Sequence, residues 1–150
     1  MDLMNLQGKV PNFENMITKL EDFRAYNLAM DVGEMVWDVI VKWGYFEKDT
    51  VGKQFVKAVD SIAANLSEGL GRYHYRESKN FAYYSRGSLF ETRTWLQKAL
   101  NRKLIAESDS LLIDSKLNTL GKMINTYINS IGEVNEPLPP YPQEKESPNA

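Results

Sequence analysis

The chain has 150 residues, no cysteine, and a formal net charge of −2 from 18 basic and 20 acidic side chains. That length suffices for one domain with its own core, and the missing thiols exclude a disulfide framework, a thiolate metal site and a cysteine nucleophile. The start around Asp2 and Asn5 lacks the apolar run of a signal peptide, and no apolar stretch reaches the ~20 residues of a membrane span. The expectation is therefore a cytoplasmic protein with no membrane association.

Helical spacing dominates from residue 20 to 132 and predicts an all-α, antiparallel up-down-up-down four-helix bundle. An N-terminal extension over 1–19 precedes it. The first helix, 20–43, repeats Phe23, Met30 and Trp37 at seven, as it does Tyr26, Gly33 and Ile40. A second apolar line, Leu28, Val32, Met35 and Val39, either widens the same core stripe or buries a second face against another copy. Asp31, Glu34 and Asp38 point together in another direction. Gly44 is the expected stop, and Asp49 or Thr50 the cap of the second helix, 50–69.

The second stripe runs Val51, Phe55, Ala58, Ile62, Leu66 and Gly69, with Gly69 and Gly71 expected to close the helix in left-handed conformations. A link as short as Arg72, Tyr73 and His74 makes the second and third helices antiparallel neighbours. The third helix, 77–103, places Phe81, Ser85, Ser88, Thr92, Trp95 and Ala99 on one face, and the fourth, 110–132, places Ile113, Leu117, Leu120, Ile124, Tyr127 and Ile131. Beyond it, five of the six prolines fall in the last fourteen residues, so 133–150 reads as a tail that is not helical and either does not pack or lies extended in a partner's groove.

The run Ser61, Ile62, Ala63, Ala64, Asn65, Leu66, Ser67, Glu68, Gly69, followed by Arg86, Gly87, Ser88, Leu89 and Glu91, resembles the four-helix bundle proteins encoded in 23S rRNA intervening sequences. That family is similar in turn to the accessory protein of diversity-generating retroelements. The resemblance covers about residues 20–132, departing from the usual pattern mildly at Leu66, Ser67 and Ser85. It implies a homopentameric ring with no established enzymatic activity, linked to RNA or a ribonucleoprotein; the expected role is that of a non-enzymatic scaffold or adaptor without a cofactor.

The residues themselves offer three candidate sites. Ser61, Asn65 and Glu68 on the second helix can meet Ser88 and Glu91 on the third, where buried polar groups form a satisfied network that fixes register. The enzymatic alternative, a Glu68–Glu91 carboxylate or metal site, lacks the Glu-x-x-His motifs of a di-iron bundle, since His74 is the one histidine and has Gly71 three positions before it. No dinucleotide loop, P-loop or serine with a plausible base is present, so no catalytic residue and no metal ligand is assigned.

The second candidate combines Lys79, Tyr83, Arg86, Phe90, Arg93 and Gln97 at 4, 3, 4, 3, 4 spacing, a line of cations interleaved with aromatics. Such a line stacks and neutralises single-stranded nucleic acid, or it forms a protein interface. Residues 1–52 carry −4, 53–103 carry +6 and 104–150 carry −4, so the match is internal to the chain. Tyr83, Arg86, Phe90 and Arg93 are expected to meet Asp31, Glu34 and Asp38 of another copy head to tail. The third candidate, for RNA, is then the remaining cations: Lys53, Lys57, Arg72, Arg76, Arg102 and Lys103.

Overall fold

The computed structural model describes residues 17–72 and 74–131, and among these every regular element is helical. The extension expected over 1–19 lies outside the described residues except for 17–19, and the tail at 133–150 lies outside them altogether. Four long helices follow one another: α1 (Arg24–Ile40), α2 (Lys53–Leu70), α3 (Tyr75–Asn101) and α4 (Glu107–Ser130). Each packs on the next and α4 returns against α1, so that four apolar stripes share one core. No described helix is long and apolar enough to cross a membrane.

On α2 and its approach the expected stripe is buried at every position, from Val51 and Phe55 to Leu66 and Gly69. On α4 Ile113, Leu117, Leu120 and Ile124 are buried likewise, with Ile128 continuing the line beside a half-buried Tyr127. The core line of α3 is Ser78, Ala82, Ser85, Leu89, Thr92, Leu96 and Ala99. Phe81, Ser88 and Trp95 flank it rather than lead it.

The first helix keeps one half of its expected seam, with Gly33 and Ile40 buried and Tyr26 half-buried, and departs from the other half. Phe23 is 1% exposed, but Met30 and Trp37 are 45% and 51% exposed. The reason is that Phe23 precedes α1 with extended backbone, φ −87° and ψ 93°, so its burial does not propagate along the helix at a spacing of seven. Its ring sits 4.6 Å from that of Tyr127 on α4. The buried line is instead Ala25, Ala29, Val32, Val36 and Ile40, and Leu28, Met35 and Val39 widen it as partly buried neighbours. The surplus apolar face is thus the one carrying Met30 and Trp37.

The ends also differ from expectation. α1 is shorter at both ends than 20–43, and the path to α2 runs through a one-turn helix, Tyr45–Glu47, and a π-helical turn, Lys48–Gly52. Neither Asp49 nor Thr50 caps α2, because the backbone before it is already helical; the Thr50 hydroxyl donates to the Phe46 carbonyl at 2.7 Å. No described glycine has positive φ. Gly69 is needed for space: a Cβ there would lie 2.7 Å from Cβ of Phe81 and 3.1 Å from the Ser78 carbonyl oxygen. The left-handed residue is Lys103, φ 59°, in the α3–α4 turn.

Candidate interaction surfaces on two faces of the bundle

The expected polar network between α2 and α3 is mostly not formed. Only one of its contacts crosses the helices, Asn65 Nδ2 donating to Ser88 Oγ at 3.5 Å. Ser61 donates to Lys57 O on its own helix at 2.6 Å. The exposed Glu68 pairs with Arg72 at 2.9 Å, and the exposed Glu91 accepts from Trp95 Nε1 at 3.4 Å. Each carboxylate lies at a solvent-facing position of its helix, where a partner one turn away satisfies it.

The seam is held instead by hydroxyls of Ser78 and Ser85 on the core line of α3. Ser78 Oγ donates to the Gly69 carbonyl at 2.7 Å and Ser85 Oγ to the Ile62 carbonyl at 2.8 Å, both buried. Thr92, completely buried, donates within α3 to Ser88 O at 2.8 Å. The signal was a hydroxyl residue every seventh position, Ser78, Ser85, Thr92, inside an otherwise apolar line. Among the described residues no group of three His, Cys, Asp or Glu is placed to hold a metal ion.

On its other side α3 faces α4 across a more open groove. Arg93 Nη1 donates to Asp114 Oδ1 at 2.8 Å and its Nη2 to Asn118 Oδ1. Arg86 Nη1 reaches Asn125 Oδ1 at 3.3 Å, with its guanidinium 4.8 Å above the Tyr83 ring. Leu89, Phe90 and Gly121 complete the lining of a depression of about 420 Å³. Phe90 is 63% exposed at its edge. The line Tyr83, Arg86, Phe90, Arg93 therefore does come to one surface, but Arg93 is engaged within its own chain. Reading α3 alone could not reveal that, because the acceptors belong to α4.

The opposite surface, formed by α1 and α2, has a different chemistry. Gly33 of α1 approaches α2 so closely that a Cβ would sit 3.1 Å from Asp60 Oδ1. Burial, and then the charge of Glu34, raise the Asp60 carboxyl above its usual range. One turn beyond Gly33, Trp37 projects into solvent, in line with exposed Met30 and Val41. Asp31, Glu34 and Asp38 are exposed beside this apolar line. Two salt bridges join described side chains, Arg72–Glu68 and Arg93–Asp114, and none of these acids takes part.

The cations expected to contact RNA divide between the two ends of the bundle. The Trp43 indole N–H donates to the Leu104 carbonyl at 2.7 Å, tying the α1–α2 junction to the α3–α4 turn. Exposed Lys53, Lys57, Arg102 and Lys103 thus belong to one end, together with Tyr45 and Phe46, 84% and 72% exposed. Arg72 and Arg76 lie beyond the far end of α2, roughly 28 Å along the helix axis from Lys53. Arg72 is also held by Glu68 and lies 5.2 Å from the Phe81 ring.

Among the described residues the buried polar contacts hold helices together, and the polar chemistry that reaches solvent lies on the outer faces of a four-helix arrangement. The chain belongs to the 23S rRNA-intervening sequence protein family, whose model matches residues 21–126. Among solved structures it is similar to a protein of unknown function from the S23 ribosomal protein family of Bacteroides thetaiotaomicron VPI-5482. The identity is 16%, the TM-score 0.62, and the likeness covers 69% of this chain and 97% of that one. That likeness is one of fold. No curated protein matches the chain.

Proposed function

We propose that this protein acts without catalysing a reaction, as an antiparallel up-down-up-down bundle spanning about residues 20–132 that assembles head to tail into a ring and serves in the cytoplasm as a scaffold for RNA or a ribonucleoprotein. The antiparallel arrangement is supported by contacts that pair residues in opposite order along neighbouring helices: Gly69 with Ser78 and Ile62 with Ser85, then Arg86 with Asn125 and Arg93 with Asn118. Five subunits are what the family resemblance implies.

The observation that carries the assembly is the pairing of two unlike surfaces on one chain, apolar and acidic on α1, aromatic and basic on α3. Unlike surfaces join copies heterologously, and a heterologous contact closes into a ring when its rotation allows. Light scattering at micromolar concentration is expected to give a mass several times the 17.2 kDa of one chain. A mass of one chain at every concentration would remove the reading.

A second reading, direct binding of single-stranded nucleic acid, is favoured by the end of the bundle where Tyr45 and Phe46 stand exposed near Lys53, Lys57, Arg102 and Lys103. Bases stack on aromatics while phosphates draw the cations. Binding of an unstructured RNA oligonucleotide should weaken steeply between low and physiological salt. Affinity indifferent to salt would exclude it.

A further inference from the structure

We propose that Trp37 of one copy seats in the α3–α4 groove of a second copy, over Gly121 and between Leu89 and Phe90. The inference rests on the self-assembly reading and adds to it the anchoring contact. Sequence spacing pointed to charge pairing between α1 and α3; the side-chain positions point to an aromatic anchor with charges around it.

Three observations converge. Trp37 is 51% exposed, between Met30 at 45% and Val41 at 43%, an apolar line that the chain's own core leaves uncovered. A large aromatic in such a line gains most from a desolvated pocket, the setting in which tryptophan serves as an interface anchor. The groove becomes such a site when a second copy covers it: a solvent-open depression of about 420 Å³, lined by Leu89, Phe90 and Gly121 with Arg86 and Arg93 at its margin. Gly121 leaves the floor open, since a Cβ there would meet only Leu89 Cδ1 within 4 Å, at 3.8 Å.

Charge sets the same partner. Glu34 and Asp38, which flank Trp37 along α1, have no salt bridge among the described residues, and the groove brings Arg86 to meet them. Arg86 rather than Arg93 is the available cation, because Arg93 is satisfied by Asp114 and Asn118. A polyanion would be attracted by Arg86 but repelled by the acids beside Trp37, so one occupant fits both surfaces, and it is another copy of this chain. The α1–α2 face and the α3–α4 face lie on opposite sides of a four-helix arrangement in which each helix touches its neighbours in order. Trp37 therefore cannot reach its own groove.

The chain has no cysteine, which makes a directed crosslink clean. A Glu34→Cys, Asn118→Cys double variant, treated with a short thiol-to-thiol crosslinker, should give a covalent ladder beyond the dimer on a denaturing gel. Either single variant should stop at dimer. If light scattering shows the double variant assembled and no ladder forms, the Trp37 contact is wrong while self-assembly stands. If the parent chain is a monomer throughout, both readings fall. Trp37→Ala and Gly121→Leu, the first removing the anchor and the second filling the groove, should each weaken association at least tenfold while the far-ultraviolet helical signal is kept. Parental association in both variants would overturn the inference.

Discussion

The two sides of α3 are built in contrasting ways. Toward α2, the backbones approach until only Gly69 fits beside Phe81 and Ser78, and short hydroxyls reach carbonyls directly across the gap. Toward α4, long arginines span the gap instead, over a glycine with nothing but Leu89 near it. A seam closed by small side chains has no room for a partner and serves packing. A seam bridged by long side chains keeps a groove whose rim groups a second molecule can use. The same helix thus carries the fold on one side and, in our reading, the partner on the other.

Adding a methyl at the glycine of each seam should therefore have opposite signs. Gly69→Ala forces a Cβ against Phe81 and the Ser78 carbonyl and should cost about 1–3 kcal/mol, read as a lowered denaturant midpoint. A wild-type midpoint would mean that the α2–α3 approach is looser than described. Ser85→Ala, which removes the buried donor to Ile62 O, should cost about 0.5–1.5 kcal/mol by the same measurement.

On the open seam, Gly121→Ala should stabilise the chain by up to about 1 kcal/mol, because alanine has the better helix propensity and the added Cβ makes an ordinary contact. Destabilisation would show the groove floor to be closed. Arg93→Ala should cost under about 1 kcal/mol: its pair with Asp114 is 31% and 47% exposed, where solvent screens most of the attraction.

The smallest effect concerns the α1–α2 face. The folded Asp60 carboxyl titrates above its ordinary 3.8, so the fold holds that proton more tightly than the unfolded chain does. Stability linked to it is present at low pH, declines as pH rises from the unfolded value through the raised one, and then stays level. Asp60→Asn should accordingly raise the melting temperature slightly at neutral pH, and the gain should vanish as the solution is acidified below the carboxylate range. A gain independent of pH would assign the effect to packing rather than to charge.

Much of this was legible in the sequence where a stripe lies wholly within a helix. The lines Phe55 to Gly69 and Ile113 to Ile124 could be read by spacing alone because burial there repeats with the helical period. Spacing misled on α1, where Phe23 sits just outside the helix and lent its burial to Met30 and Trp37. The error is instructive: it hid the exposed tryptophan inside a supposed core. Of the candidate sites, the line Tyr83 to Arg93 was found from composition and spacing. The pairing of Arg93 was not, since it depends on Asp114 and Asn118, distant in sequence and adjacent in space. Polar residues near Ser61 and Glu91 invited a network, yet several sit on outer positions where each finds a partner four residues away along the chain.

The central claim is that the acidic, apolar face of one copy meets the basic, aromatic groove of another. Its most direct test is the molar mass by light scattering, over a dilution series, of the parent, of Arg86→Glu, and of that chain with Glu34→Lys and Asp38→Lys added. The parent should be assembled, the Arg86→Glu variant should fall toward the 17.2 kDa of one chain, and the triple variant should recover mass. An Arg86→Glu chain that keeps the parental mass on dilution would contradict it.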